Sequence, residues 1–315
     1  MGDARLAPSD TKSQSDAVAL SRDLTEAGLL LLDIGTNLNN IPAQGGFLLS
    51  AYPTCKEASI VAFGSGLAGG KESDYRRSEG EVEDSRGRQA KTAVRRICRH
   101  NGLTQLVTFT YAEVPPLGAV SRHFNYFWRK FQEVTGLEIP PYVLVCEWGK
   151  AHGRLHVHVG VSWWNEINAV EVCPRCDKYE VISKRGSSTR YLAPHVCIGC
   201  LWGRGFVGRP EENAGGNGLS GYLAKYLAKD LDGVKFDPTT GKRVDRSIGL
   251  PFGGKRYRAS LGAKPIPLKL WAPELEVARS AAVDVVGHGE WPAFSWVGEE
   301  SSDHGHVEWH DFEAA

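Results

Sequence analysis

The chain of 315 residues is long enough for one large domain or two modest ones, and 42% of its residues are hydrophobic, which is ordinary for a globular protein. No stretch approaches the ~20 apolar residues that span a bilayer, and acidic residues flank the short run Ala27–Leu32, unlike in a signal peptide, so we expect a cytoplasmic protein. The net charge of zero hides a basic middle between acidic ends: residues 1–85 carry 7 Lys/Arg and 13 Asp/Glu, residues 86–269 carry 29 and 14, and residues 270–315 carry 1 and 10. That distribution is typical of a polyanion-binding domain, although basic surface can also serve solubility alone.

The N-terminal third shows one clear element. Residues 1–84 have little periodicity, and we expect a largely flexible region with a short helix near Asp16–Leu31. Ser85 is in position to cap a helix that runs to about His100. The helix carries six basic residues: Arg86, Arg88, Lys91, Arg95, Arg96 and Arg99. Such a helix suits a phosphate backbone, although an ordinary solvated helix has the same pattern.

Strands and a helix alternate in the next segment. Leu106–Tyr111 is a β-rich run, and Tyr142–Trp148 and Leu155–Ser162 are two further strands joined by a short turn. The helix between them carries an aromatic stripe at i, i+3, i+4 and i+7, which we assign to the core: Phe124, Phe127, Trp128 and Phe131. These elements predict an α+β domain over residues 85–270, with a central antiparallel sheet and helices on one face.

The C-terminal part contains one strong helix, predicted over Tyr222–Leu231 after the glycine-rich segment Gly215–Gly221. The acidic segment 271–315 shows little pattern, and we expect it to be a mobile tail.

His156 and His158 are candidate metal ligands. In a strand, residues i and i+2 point to the same face, so the two imidazoles can bind one cation while Val157 and Val159 pack behind them. The pair alone is weak evidence, because a chain with 10 histidines can form such a pair by chance, and two surface histidines give the same pattern.

Glu147 strengthens the metal hypothesis. It ends the neighbouring predicted strand, and the short turn brings it beside the histidines. Two histidines and one carboxylate form a common shell for divalent cations, and a hard ion such as Mg²⁺ or Mn²⁺ suits phosphate chemistry. A solvent-exposed carboxylate at a strand end is the alternative for Glu147, and His152 in the turn is a competing ligand.

Tyr222 and Tyr226 are candidate nucleophiles. They are neighbours at i, i+4 on one helix face. A separate apolar stripe can bury against the sheet without them: Leu223, Leu227 and Leu231. A tyrosine hydroxyl can attack a phosphodiester and form a covalent phosphotyrosine, provided that the charge on the phosphate is stabilised. Either of two lysines can steady the phosphate or lower the tyrosine pKa: Lys225 or Lys229. An amphipathic helix with two interfacial tyrosines is the alternative.

Three segments, in this order, resemble the motifs of the HUH endonucleases, specifically the rolling-circle replication initiators (Rep proteins). Phe109–Tyr111 is similar to their first motif, a central strand; Leu155–Val159 is similar to the second, the metal-binding pair; and Tyr222–Lys225 is similar to the third, the nucleophile motif. Tyr226 is similar to the second tyrosine of the two-tyrosine branch found in phage and plasmid initiators of bacteria. The resemblance covers about residues 86–262 and neither end of the chain.

The resemblance implies an enzyme that nicks and rejoins single-stranded DNA at a replication origin in the cytoplasm of a bacterial host. One tyrosine becomes linked to the 5′ phosphate and leaves a 3′ hydroxyl that primes synthesis, and the second tyrosine can attack after one round and release a circle. A host helicase and polymerase are the implied partners, since no Walker motif is visible. Transposases and plasmid relaxases belong to the same superfamily and are the nearest alternatives.

Four of the seven cysteines form two Cys-x-x-Cys pairs separated by 20 residues: Cys173 with Cys176, and Cys197 with Cys200. In a cytosolic chain this spacing indicates a structural Zn²⁺ ribbon rather than disulfides. We expect a zinc-ribbon insertion over residues 171–203, which departs from the minimal initiator pattern. Basic residues around it favour contact with DNA, and a purely structural role is the alternative. A non-catalytic zinc-ribbon DNA-binding regulator is the competing function from another class.

Overall fold

The fold is described here from a computed structural model of the chain, over residues 29–32, 45–63, 79–116, 118–148, 154–162, 168–172, 180–183, 196–208, 211–212, 216–232, 235–236, 243–244, 255–298 and 306–312. The helices are α1 (Glu79–His100), α2 (Ala119–Thr135), α3 (Ile198–Trp202), α4 (Gly216–Asp232) and α5 (Leu275–Val286), with a 3₁₀ turn at Pro53–Cys55. Among the described helices, none is long and apolar enough to cross a bilayer.

The strands are β1 (Leu30–Leu32), β2 (Gly46–Tyr52), β3 (Glu57–Phe63), β4 (Gln105–Thr110), β5 (Val143–Trp148), β6 (Leu155–Val161), β7 (Asn168–Val172), β8 (Glu180–Ser183), β9 (Val196–Cys197), β10 (Glu211–Glu212), β11 (Lys235–Phe236), β12 (Arg243–Val244), β13 (Tyr257–Ala259), β14 (Leu268–Ala272), β15 (Phe294–Val297) and β16 (Val307–Asp311). Every pair among the described strands is antiparallel, which confirms the predicted α+β class with antiparallel sheets.

The chain divides into two compact units, one formed by residues 1–75 with 266–315 and the other by residues 76–265. The first unit has 7 Lys/Arg against 19 Asp/Glu, and the second has 30 against 18. We call them the acidic unit and the basic unit. The charge asymmetry seen along the sequence therefore follows the division of the fold, with both acidic ends in the same unit.

The acidic unit is built on a six-stranded sheet with the order β1-β14-β2-β3-β16-β15. Helix α5 covers one face, because its small buried residues Ala278 and Ala282 pack against apolar side chains of the central strands, among them Leu49, Ile60 and Leu270. Small residues on the helix allow its backbone to approach the sheet closely.

Two sequence predictions are wrong for the described part of this unit. We expected residues 1–84 to be largely flexible and residues 271–315 to be a mobile tail, but β3 from the first segment pairs with β16 from the second, and β2 pairs with β14, which ends inside the second. The strands are short, and the paired strands β2 and β14 are separated in sequence by more than half the chain. Local periodicity cannot report pairing over such a distance. The range Asp16–Leu31, where we expected a short helix, overlaps β1 at its C-terminal end, and residues 16–28 lie outside the described residues.

The basic unit contains a five-stranded sheet with the order β10-β4-β6-β5-β13. Strands β4, β5 and β6 match the three predicted strands to within one residue at each end. The basic helix begins earlier than predicted, since α1 starts at Glu79 rather than at Ser85. The predicted aromatic stripe of α2 is confirmed as core, because all four of its residues are buried: Phe124, Phe127, Trp128 and Phe131.

Helices cover both faces of this sheet, so the expectation of helices on one face is wrong. Helices α2 and α3 pack on the face that presents Val107 and Val157. Helices α1 and α4 pack on the opposite face, against Leu106, Val143 and Val145. The central strands are apolar on both faces, and each face needs a cover to keep this surface from water.

Gly160 lets α4 approach strand β6 closely. A Cβ atom at this position would lie 3.0 Å from Val143 Cγ1, 3.2 Å from Leu223 Cδ1 and 3.4 Å from Leu219 Cδ2. Gly221, in α4, faces open space by the same measure. The absence of a side chain at residue 160 therefore sets the distance between the tyrosine-bearing helix and the sheet.

We expect Gly160→Val to lower the free energy of unfolding by about 1–3 kcal/mol, because the added methyl groups overpack the contact with α4. Gly221→Ala is the matched control and should be neutral or stabilise by about 0.5–1 kcal/mol, since it adds a methyl in open space on a helix. Urea unfolding followed by circular dichroism measures both. Equal midpoints for Gly160→Val and the wild type would contradict the close approach.

Candidate active site

Strands β5 and β6 place the predicted metal ligands on one face of the sheet. Glu147 lies directly opposite His156 in the antiparallel register, and His158 is two residues further along β6. Glu147 lies on the same side of β5 as Val143 and Val145, while Cys146 points to the other side. Since Val143 and Val145 pack against α1 and α4, these helices cover the face that carries Glu147. The structure thus brings together the three residues that the sequence proposed as a set.

Hydrogen bonds hold the ring of His158 at both nitrogens. Its Nε2 lies 3.2 Å from Glu147 Oε2, and its Nδ1 lies 3.0 Å from Thr108 Oγ1. His156 has a similar, longer contact, with its Nδ1 3.4 Å from Thr110 Oγ1. The arrangement around His158 fits the tautomer in which Nε2–H donates to the carboxylate and Nδ1 accepts from the threonine hydroxyl.

Thr108 was missed as a site residue by the sequence reasoning, and Thr110 was noted only as part of the strand motif. Both lie on β4 beside the histidines, since Thr108 is opposite His158 and Thr110 is opposite His156. The signal was present in the sequence, because the two threonines are spaced i, i+2 like the histidines. Recognising it required the pairing of β4 with β6, which the sequence does not state.

Helix α4 packs on the same face of the sheet, and its two tyrosines lie against His158. The rings of Tyr226 and His158 are stacked, with centroids 4.0 Å apart and planes 17° from parallel. Tyr222 meets Tyr226 edge to face at 5.0 Å and lies 6.5 Å from the ring of His158. Lys225 is exposed on the same helix. The predicted nucleophiles and the predicted ligands therefore share one face of the sheet.

The two tyrosines are not equivalent. Tyr226 is only 6% exposed and belongs to the same buried cluster as Leu223 and Leu227, whereas Tyr222 is half-buried at the edge of that cluster. The expectation that the leucines bury without the tyrosines is wrong for Tyr226. The helix turns enough of its face towards the sheet to bury the tyrosine ring together with the leucines.

Arg256 supports the end of α4 that follows the tyrosines. Its side chain is buried, and its Nη1 donates to the backbone carbonyl of Leu227 at 3.3 Å. A cation near the C-terminal end of a helix interacts favourably with the carbonyl groups there. Arg256 belongs to the basic segment that the resemblance includes, and its observed contact is with the helix backbone.

Tyr111 does not join the site, although it ends the first motif. It lies in the core cluster on the opposite face of the sheet. Burial raises the pKa of its hydroxyl, which forms a hydrogen bond with His123 Nδ1 at 3.0 Å. A buried phenol with a raised pKa is a poor nucleophile, so the candidate tyrosines on this site remain Tyr222 and Tyr226.

Two imidazoles and one carboxylate are donor types that can bind a divalent cation. Within the described residues, no three His, Cys, Asp or Glu side chains are spaced as a ready-made metal shell. Within the set of His156, His158 and Glu147, His158 forms a direct hydrogen bond to Glu147, which an ion would have to replace. Because threonine hydroxyls contact Nδ1 of both histidines, a ligand would have to bind through Nε2, which in His158 contacts Glu147 in this structure.

The cysteine quartet is described only in part. Cys173 and Cys176 lie outside the described residues, as does His152. Cys197 is the last residue of β9, and Cys200 is an exposed residue of α3. Helix α3 is fixed to the sheet by Trp202, whose ring contacts Phe109 at 5.1 Å and whose Nε1 donates to the backbone carbonyl of Thr110 at 3.2 Å.

A family model described as Replication-associated protein ORF2/G2P matches residues 104–231. This segment runs from the start of β4 into α4 and contains the threonines, the histidines, Glu147 and both tyrosines. The match supports a replication initiator protein. A search of curated proteins and a search of solved structures give no match.

We expect Thr108→Val to lower the free energy of unfolding by about 1–3 kcal/mol, because it leaves Nδ1 of buried His158 without its hydroxyl partner. Thr108→Ser keeps the hydroxyl and should retain both the stability and the tautomer. Chemical denaturation measures the stability, and nitrogen-detected NMR of the imidazole measures the tautomer. If Thr108→Val leaves both unchanged, the hydrogen bond does not position the ring.

Proposed function

We propose that the basic unit is a metal-dependent endonuclease and strand transferase of the two-tyrosine HUH kind, which nicks and rejoins single-stranded DNA as a rolling-circle replication initiator. The observation that carries the proposal is the position of α4, which brings Tyr222 and Tyr226 against His158, on the sheet face that also carries His156 and Glu147. The similarity to a replication-associated family over the same segment favours an initiator over a transposase or a relaxase.

The ligands in this proposal are Nε2 of His156, Nε2 of His158 and the carboxylate of Glu147, with Mg²⁺ or Mn²⁺ as the ion. When bound, the cation neutralises charge on the scissile phosphate and leaves open positions for its oxygens. The threonine hydroxyls suit this role, because a hydroxyl can donate to Nδ1 in the free site and accept from Nδ1–H when Nε2 holds a ligand.

The chemical step is an attack of a tyrosine oxygen on the scissile phosphorus. A bond forms between the tyrosine oxygen and phosphorus, the bond from phosphorus to the 3′ oxygen breaks, and the departing 3′ oxygen takes up a proton while the tyrosine loses one. The phosphotyrosyl bond conserves the energy of the phosphodiester, so a 3′ hydroxyl can later reverse the step without a nucleotide cofactor. Lys225 is assigned to contact the phosphate, since it is exposed three residues after Tyr222 and directly before Tyr226.

We assign the first attack to Tyr222. Its ring is half-buried at the edge of the cluster, whereas the ring of Tyr226 is stacked on His158 and almost fully buried. An attacking hydroxyl needs access to the DNA strand as well as proximity to the ion. In this account Tyr226 stabilises the orientation of His158 before cleavage and acts as the second nucleophile after the stack opens.

The cysteines belong to the proposal as a structural Zn²⁺ site made of Cys173, Cys176, Cys197 and Cys200. Spacing is the support for it, together with the position of Cys197 and Cys200 at the junction of β9 and α3. Single-stranded DNA at an origin is the proposed substrate, in the cytoplasm of a bacterial host. Strand separation and synthesis are assigned to a host helicase and polymerase.

The direct test is formation of a covalent protein–DNA adduct. The full chain is incubated with Mn²⁺ and a pool of random-sequence single-stranded 60-mers, and adducts are resolved on a denaturing gel. We expect an adduct with the wild type, loss of at least 100-fold with Tyr222→Phe, and a retained adduct with Tyr226→Phe. His156→Ala should abolish the adduct and retain DNA binding, since it removes a proposed ligand without removing the basic surface.

The outcomes separate the candidate functions. No adduct on any member of the pool, with DNA binding retained, would favour the non-catalytic regulator. An adduct that persists in EDTA would remove the metal from the mechanism. An adduct that survives in Tyr222→Phe and disappears in Tyr226→Phe would reverse the assignment of the first nucleophile.

A further inference from the structure

Strand β15 forms an exposed edge of the sheet in the acidic unit. It is the last strand in the sheet order, and among the described residues it pairs only with β16. Three of its four residues are large and apolar, and they are 55% (Phe294), 52% (Trp296) and 48% (Val297) exposed. Edge strands of soluble proteins are usually protected by charged residues, prolines or bulges. The sequence Phe-Ser-Trp-Val of β15 contains none of these devices.

A cleft lies beside this edge. It has a volume of about 250 Å³ and is lined by residues of α5, β15, β16 and the loop before β15. Apolar walls are supplied by Val283 of α5, Val297 of β15, Pro292 and Phe312, and Trp291 lies at the rim and is 77% exposed. The volume is smaller than the roughly 300–1,000 Å³ of small-molecule sites, and it suits one or two apolar side chains.

The polar groups at the base of the cleft contact one another. Arg279 donates through Nε to Glu308 Oε2 at 3.0 Å, and Ser295 Oγ lies 2.9 Å from His310 Nδ1. Burial alone would raise the pKa of Glu308, but hydrogen bonds from Arg279, His306 and His310 lower it to about 2. The base is therefore an ionic cluster that connects α5 to β16 at this end and leaves the apolar walls as the contact surface.

Charge decides between the possible occupants. The acidic unit carries 19 acidic against 7 basic residues. Glu276 at the cleft pairs with Arg279 and has a side chain that is 75% exposed, and the exposed Glu290 precedes Trp291 in the loop. Single-stranded DNA would be repelled, and a second copy of the same unit would bring together two surfaces of the same sign. A basic segment of another protein is attracted by the same charges.

We propose that the cleft between α5 and β15 is a docking site for an extended, basic peptide of a partner protein. The peptide adds a strand to β15 through backbone hydrogen bonds and places an apolar side chain between Val283 and Val297, with Lys or Arg residues on either side. Peptide recognition by strand addition uses this combination of a free sheet edge and an adjacent apolar pocket. The proposal concerns the acidic unit and does not depend on the DNA chemistry of the basic unit.

The test selects peptides against the full chain from a phage-displayed library of random twelve-residue peptides. We expect enrichment of sequences in which Lys or Arg flanks an apolar residue. A fluorescein-labelled peptide of the enriched sequence then reports affinity by anisotropy. Val297→Lys should weaken binding at least tenfold, because it places a positive charge in the cleft and on the edge strand.

Phe294→Lys is the matched control, since it makes the same charge change on the same strand but on the other face of the sheet. It should weaken binding by less than threefold, and circular dichroism should show both variants folded. The proposal is overturned if no sequence is enriched, if acidic sequences are enriched, or if the two variants weaken binding equally. It is also overturned if the chain is a dimer by light scattering that Val297→Lys dissociates, or if single-stranded DNA binds the cleft and is displaced by the same variant.

Discussion

The stack of Tyr226 on His158 connects the helix that carries the tyrosines to the strands that carry the polar residues. The two rings are almost parallel, with centroids 4.0 Å apart. The contact is possible because Gly160, two residues beyond His158, lets the leucines of α4 approach β6. Thr108 and Glu147 hold the same imidazole from its two nitrogens, so the ring cannot turn without losing a hydrogen bond. The orientation of one histidine thus follows from three strands and one helix, and the remaining site residues are placed relative to it.

Much of this site could be predicted from sequence, because its residues follow the two-residue repeat of a strand and a short turn between neighbouring strands. The strand alternation places His156 beside His158, and the short turn between β5 and β6 brings Glu147 to them. The burial of Tyr226 was not predicted, since a tyrosine is compatible with both a buried and an exposed position. The leucine stripe alone accounted for the buried face of the helix. Thr108 was missed because its role depends on the pairing of β4 with β6, which no local pattern specifies.

The sequence predictions missed the fold of the acidic unit almost completely, for a related reason. Its sheet joins β2 and β3 to β14 and β16, so the pairing partners come from opposite ends of the chain. Each strand is short and only partly apolar, and its fold depends on contacts that close a long loop. The distribution of charge along the sequence nevertheless matches the division of the fold, since both acidic ends belong to one unit. In the two proposals the basic unit binds single-stranded DNA and the acidic unit binds a basic peptide, so each unit is assigned its own partner.

The central claim is that a tyrosine of α4 forms the covalent bond to DNA, and mass spectrometry of the DNA-linked peptide tests it most directly. After reaction with single-stranded DNA and Mn²⁺, digestion with nuclease and protease leaves a nucleotide on the attached residue. The account predicts this mass on the peptide that contains Tyr222 and Tyr226, with fragmentation placing it on a tyrosine oxygen. A nucleotide on any residue outside α4, or cleaved DNA without any modified peptide, would contradict it.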